Sequence, residues 1–274
     1  MELIVFDLDG TLLNRDSQIT DYTRETLALL AQRNIAYTVA TGRALHGCRD
    51  ILAGHNFKLP QIFKNGAMIW LPQERAYSRK HLLTPEEIER VLQAFLALAV
   101  APFVYTLEAD NSHAVYHPPL ASETEKEWLY ELNTVRGLKA SPLSALPEHA
   151  EITNISALGP SAAIEVVRDL VSEQEDHLVA YMGTGIIRDD ICWLDIHHTD
   201  GSKGGAVVQL KSDLGVERVV CFGDSDNDLS MFAAADEAYA PSNAKDEVKR
   251  AATAVIGHHH EDGIARFLRE RFEL

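Results

Sequence analysis

Four apolar residues in a row, Leu3-Ile4-Val5-Phe6, run directly into Asp7-Leu8-Asp9-Gly10. Branched and aromatic side chains with no alternating polar position read as a short strand buried on both faces. The pattern returns at Tyr37-Thr38-Val39-Ala40 and at Val219-Val220-Cys221-Phe222, and each run ends abruptly in glycine or polar residues. Between the first two runs, Thr20 to Asn34 places Leu27, Leu30 and Ala31 on one helical face, with Thr20 positioned to cap the start. Strand, helix, strand with turns this short makes a parallel βαβ unit. Right-handed crossovers then build a doubly wound α/β sheet with helices on both faces. Ser202 to Leu214 and Asn227 to Ala235 are expected as further helices, and Asp262 to Arg271 as an amphipathic closing helix.

The middle of the chain reads differently. Thr84-Pro85-Glu86-Glu87 predicts a helix start, with the helix running to about Ala99. Strands are expected at Phe103 to Leu107 and His113 to His117, then a polar helix near Ser122 to Asn133 and a proline-bearing loop from Ser141 to Pro147. A strand at Glu151 to Ala157, a helix at Pro160 to Ser172 and a strand at Leu178 to Met182 complete the segment. This alternation predicts an α+β domain inserted at residues 84 to 188, with residues 1 to 83 and 189 to 274 forming a discontinuous core. The connections between them are expected around Lys80 to Thr84 and Arg188 to Cys192.

A formal charge of −16, from 41 acidic against 25 basic residues, repels nucleic acid and anionic membranes alike. Cys48, Cys192 and Cys221 have no CxxC spacing, which predicts reduced thiols and a cytoplasmic setting. No basic segment followed by an apolar one opens the chain, and no run approaches the roughly 18 apolar residues of a spanning helix.

Asp7 and Asp9, two apart after a strand, can face one site. Their mutual repulsion requires either a raised pKa or a cation between them, and Mg²⁺ suits oxygen ligands of this kind. Gly10 permits a sharp turn whose N–H groups can cradle a phosphate oxygen. A second acidic cluster, Gly223-Asp224-Ser225-Asp226-Asn227-Asp228, also follows an apolar run. A calcium loop counted from Asp224 would need glycine and glutamate where the chain has Leu229 and Ala235, so a divalent site shared with Asp7 and Asp9 is the better account. Thr41-Gly42-Arg43 puts a hydroxyl and a guanidinium at the same sheet edge, although Thr41 by itself reads equally well as a helix cap. Lys203 lies outside any P-loop pattern and in isolation reads as a surface lysine.

Taken in order, Asp7-Leu8-Asp9-Gly10-Thr11, Thr41-Gly42-Arg43, Lys203-Gly204 and Gly223-Asp224-Ser225-Asp226-Asn227-Asp228 resemble the four motifs of the haloacid dehalogenase superfamily. Asn65-Gly66-Ala67 extends the resemblance to its Cof-type branch, which carries a large (type IIB) cap between the second and third motifs. The resemblance implies a Rossmann-like core with an α+β cap, and a Mg²⁺-dependent phosphatase of small phosphate monoesters, sugar phosphates above all. By position, it makes Asp7 the nucleophile and Asp9 the general acid and base. It assigns Mg²⁺ to Asp7, to the Asp9 carbonyl and to Asp224. Gly10, Thr41, Gly42, Arg43, Lys203 and Asn227 are expected around the phosphate, with Asp228 and Asn65 in support. The partner implied is a small phosphorylated metabolite, with no nucleic acid and no membrane. A sugar phosphomutase and a non-catalytic metabolite-binding regulator are the alternatives. The chain departs from the branch at Ser225, where glycine is common, and at His258-His259-His260, which precede Glu261-Asp262-Gly263. Adjacent histidines do not converge easily on one ion and no partner ligand is identifiable, so these rings are not expected to bind a metal.

Overall fold

A computed structural model describes residues 2–110, 112–184 and 191–274. The chain divides into two compact units, Met1–Lys80 with Gly201–Leu274, and His81–Asp200. The first is built on a parallel five-stranded sheet in the order Ala254–Ile256, Glu237–Pro241, Arg218–Phe222, Glu2–Phe6, Ala36–Val39. Leu3 to Phe6 are fully buried, as a central strand requires. Ile4 and Phe6 pack on Leu27 and Leu30 of helix Asp21–Gln32 and on Ile264 and Leu268 of helix Gly263–Phe272. Leu3 and Val5 face the other way, onto Val207 and Leu210 of helix Lys203–Asp213. Thr20 caps its helix as expected, its Oγ1 accepting from Thr23 N at 3.1 Å.

From Glu2–Phe6 the chain winds outward through Ala36–Val39 to Gln61–Phe63, which joins by the parallel bridge Ala40–Ile62. From Arg218–Phe222 it winds the opposite way. The order in which strands are added therefore reverses between the two central strands, and α/β sheets bind ligands at the carboxyl ends of such strands. Gln61–Phe63 also leads an antiparallel hairpin with Met68–Leu71 and Ala76–Lys80.

The second unit is a six-stranded sheet in the order Leu178–Thr184, Ile191–His198, Glu151–Pro160, Phe103–Leu107, His113–His117, Lys139–Pro142, antiparallel except for its last pair. One face packs Val104, Ile155 and Leu194 against Val91, Phe95 and Ile164 of helices Pro85–Ala97 and Ser161–Gln174. The other packs Phe103, Tyr105 and Leu158 against Trp128 of helix Glu123–Tyr130 and Leu132. The Thr84 start is a full capping box: Glu87 Oε2 accepts from Thr84 N at 2.7 Å and Thr84 Oγ1 from Glu87 N at 3.4 Å.

Three expectations need correction. An insert ending at residue 188 is too short, because Ile191–His198 pairs along its length with two strands of the second sheet, which moves the boundary to Asp200. The near boundary lies at His81 rather than at 84, since Leu83 exchanges backbone hydrogen bonds of 2.7 and 2.9 Å with Ile152. The connection expected at Arg188 to Cys192 begins outside the described residues, and its described part, Ile191 and Cys192, is strand. Lastly, the loop expected from Ser141 begins within an edge strand, Lys139–Pro142, where a terminal proline is tolerated. All three cysteines are buried and unpaired. Among the described residues, no helix is long and apolar enough to cross a membrane.

Candidate active site

Asp7 continues the central strand by one residue, its N–H donating to Phe222 O at 2.9 Å, and the chain then turns through Leu8–Leu12. Gly10 makes that turn with φ +73°, and a Cβ there would overlap the Asp224 carboxylate. Two loops, after Glu2–Phe6 and after Arg218–Phe222, are thereby brought into contact at the point where the strand order reverses. Gly10→Ala should destabilise the protein by about 1–3 kcal/mol and displace Asp224. Equal urea midpoints for variant and parent would contradict this.

One carboxylate oxygen from each of Asp7, Asp224 and Asp228 lies within 4.8 Å of the others. Lys203 Nζ sits among them, 2.7 Å from Asp7 Oδ1 and 2.6 Å from Asp228 Oδ1. It is only 1% exposed, so the reading of an isolated surface lysine fails. Asp228 is held further by Asp224 N and Ser225 N, which donate to its Oδ2 at 2.8 and 3.0 Å. Asp224 accepts from Thr11 Oγ1 at 3.3 Å and from Ser225 Oγ at 3.1 Å. Ser202 caps helix Lys203–Asp213 through Gly205 N and so aims Lys203 inward from the first turn.

Three carboxylates against one ammonium leave an excess of two negative charges in a largely buried space. Burial drives the Asp7 pKa well up, and Asp228 and Asp224 add to it against the pull of Lys203. Asp224 rises to about 6, first through burial and then through Asp228. For Lys203, burial works against the charge, but Asp228 and Asp7 together outweigh it and raise the pKa. The donors are all oxygen, and a divalent cation would restore neutrality, so the residues suit Mg²⁺. Protons compete for the same oxygens. With Asp224 near pKa 6 and Asp7 raised as well, Mg²⁺ should bind at least about tenfold more weakly at pH 5 than at pH 7. A calorimetric titration giving equal affinities would contradict that.

Thr41, 1% exposed, lies beyond Ala36–Val39 and starts no helix, so it is not a cap. Its N–H donates to Ile62 O and its Oγ1 accepts from Arg43 N, at 3.0 and 3.1 Å. Gly42 leaves room for Asn65, whose Oδ1 accepts from Asn227 Nδ2 at 2.8 Å. Lys64, Asn65 and Gly66 all have positive φ, and a Cβ on Gly66 would overlap Ser202 O. The Asn65-Gly66-Ala67 segment thus fits tightly against the helix that carries Lys203. Arg43 is engaged with Asp9, Nε to Oδ2 at 2.7 Å and Nη2 to Oδ1 at 2.5 Å. Asn243, absent from the sequence reading, donates from Nδ2 to Gly10 O at 2.8 Å and supports the first turn. A Pro-Ser-Asn run ending a short strand is its only local signal.

The haloacid dehalogenase-like hydrolase profile matches residues 4–268 of this chain. The chain belongs to the haloacid dehalogenase-like hydrolase family. Among this family, 5-amino-6-(5-phospho-D-ribitylamino)uracil phosphatase YitU of Bacillus subtilis is 26% identical, over 99% of this chain and 98% of its own. YwtE of the same organism, a phosphatase of the same name, is 28% identical over 98% and 97%. The crystal structure of TM0651 from Thermotoga maritima superposes with a TM-score of 0.78 at 26% identity, covering 98% and 96% of the two chains. The HAD subclass IIB sugar phosphatase BT4131 shares the fold, with a TM-score of 0.77 at 20% identity over 100% and 99%.

Proposed function

We propose that this haloacid dehalogenase-like phosphatase hydrolyses small phosphate monoesters, sugar phosphates and related polyol phosphates, with Mg²⁺ and through an aspartyl phosphate on Asp7. The observation that carries the reading is the convergence of Asp7, Asp224 and Asp228 around the buried Lys203. The YitU and YwtE names, each with a phosphorylated ribityl chain, support the substrate class.

Asp7, Asp224 and the Asp9 carbonyl would hold Mg²⁺, which supplies positive charge to the phosphoryl oxygens when bound. Lys203 holds Asp7 Oδ1, fixing the carboxylate so that Oδ2 is the oxygen that attacks phosphorus. The ester bond breaks, and the leaving alkoxide takes a proton from the Asp9 carboxyl. Water then attacks the aspartyl phosphate while Asp9 takes a proton from it, which releases phosphate and restores Asp7. Thr41 Oγ1 and Lys203 Nζ stabilise the phosphoryl oxygens by preorganised electrostatics. Since Arg43 grips both Asp9 oxygens, that carboxyl acts only after the pair opens. Asn65 and Asn227 brace the loops, and Gly10 and Gly42 let the backbone approach the phosphate.

Hydrolysis of p-nitrophenyl phosphate should require Mg²⁺, disappear on chelation and return when Mg²⁺ is restored. Undiminished turnover after thorough chelation would defeat the reading. Release of phosphate, rather than isomerisation of a hexose monophosphate, separates it from a phosphomutase.

A further inference from the structure

His258, His259 and His260 converge, against the expectation for adjacent residues. A short turn over His259–Glu261, followed by Asp262 at φ 55°, folds the rings together. Their centroids lie 5.0, 4.9 and 3.7 Å apart. One ring nitrogen from each falls within 4.8 Å of the other two. Two details make this more than ring packing. His259 Nδ1 lies 2.7 Å from Leu13 O, and a carbonyl can only accept, so Nδ1 carries the proton and Nε2 presents a lone pair. That is the arrangement of histidines that ligate metals, oriented through their second nitrogen. His260 Nδ1 is buried with no hydrogen-bond partner among the described residues, and it becomes a ligand atom when its proton moves to Nε2. Its Nε2 accepts from Arg15 Nε at 3.2 Å, which leaves the proton on Nδ1, and His258 Nδ1 accepts from His260 N at 3.2 Å, so an ion replaces both of these bonds when it binds. The exposed Arg15 side chain is free to swing aside when the ring turns a lone pair to a metal.

We propose that His258, His259 and His260 form a site for one divalent transition-metal ion, such as Ni²⁺ or Zn²⁺, separate from the carboxylate site. Imidazole nitrogens favour these ions, and Mg²⁺ avoids such donors. For Zn²⁺, three histidines with water in the fourth position make a complete tetrahedral set, and for Ni²⁺ additional waters fill the remaining positions, so no further protein ligand is needed. The site is fastened to the first catalytic turn. Besides the His259 bond to Leu13, His259 N donates to Asn243 Oδ1 at 3.2 Å, and Asn243 Nδ2 donates to Gly10 O at 2.8 Å. On its other side Asp262 Oδ1 accepts from Thr20 and Thr23 hydroxyls at 2.5 and 3.1 Å. An ion here braces the backbone that carries Asp7 and Asp9, without touching either.

The test is equilibrium dialysis of the full chain against Ni²⁺ with Mg²⁺ in large excess, reading bound nickel by atomic spectroscopy. Wild type should take up one Ni²⁺ per chain more than His258→Ala/His260→Ala, in which His259 and its bond to Leu13 remain. His258→Gln/His260→Gln keeps the size and polarity of the rings and should lose the same ion while matching the metal-free Tm of wild type. Co²⁺ added to wild type gives a reading independent of any variant. The visible absorption of a four- or five-coordinate nitrogen-ligated ion supports the site, and only the weak bands of six-coordinate Co²⁺ overturn it. Equal nickel uptake by wild type and both variants also overturns it.

Discussion

Asp7→Asn is expected to lower kcat for phosphate release by about 10⁴-fold or more, the scale on which enzymes lose activity when a covalent nucleophile is removed. The substitution is nearly isosteric. An amide oxygen can still accept from Lys203, and Lys203 keeps its partner Asp228 at 2.6 Å, so the fold should persist. What is lost is the oxygen nucleophile and one negative charge beside Asp224. The variant should retain a cooperative melt and bind substrate while releasing no phosphate above background. Single-turnover and steady-state assays with p-nitrophenyl phosphate measure it, and a kcat near the parent value would remove Asp7 from the role.

Lys203→Met should be the most damaging substitution to stability. Methionine keeps much of the side-chain volume but leaves Asp7 and Asp228 facing each other without an ammonium, and neither carboxylate can reach bulk water easily. Breaking a buried pair from one side costs about 3–5 kcal/mol, because a charge is left uncompensated. The deficit has a direction in pH. Asp7, whose pKa burial already raises, loses the opposing pull of Lys203 and holds its proton more tightly than in the unfolded chain, so its protonated form stabilises the fold and that stabilisation disappears as pH rises. The gap between parent and variant in urea denaturation, measured without metal, should therefore be larger at pH 8 than at pH 5. A gap that is absent, or that widens on acidification, would contradict the proposed electrostatics. Activity should fall as well, since the phosphoryl oxygens lose a preorganised cation.

Lys203 also shows where reading along the chain stops. Its neighbours, Ser202 and Gly204-Gly205, give no local reason to bury an ammonium. The reason lies in Asp7 and Asp228, which are 196 and 25 residues away. Only resemblance to a family pattern pointed to it. The acidic cluster at Asp224 is similar: local spacing argued against a calcium loop, whereas its closeness to Asp7 required Gly10 to admit the carboxylate. Arg43 was legible as a cation at the right sheet edge, but its two-point grip on Asp9 was not. The three histidines went the other way. Neighbours in sequence diverge in regular structure, and a single turn with a left-handed residue behind it reversed that.

Elements set by short-range physics were plain in the sequence. Leu3 to Phe6 can only be a central strand, Thr20 and Thr84 cap helices through bonds to residues three positions on, and the helices between strands face the sheet with their apolar sides. These depend on propensity, capping and periodicity, which adjacent residues carry themselves. Tertiary structure alone decided which marginal segments became strands and where the units divide. Glu237–Pro241 and Ala254–Ile256 are short, and Ile191–His198 mixes Asp195, His197 and His198 with its apolar residues. A strand's free energy resides in the ladder and side-chain pairs it makes with distant partners, so its existence is a property of the assembled sheet. The site obeys the same rule: the carboxylates and lysine are written in the chain, but their shared charge balance exists only once the sheet brings their loops together.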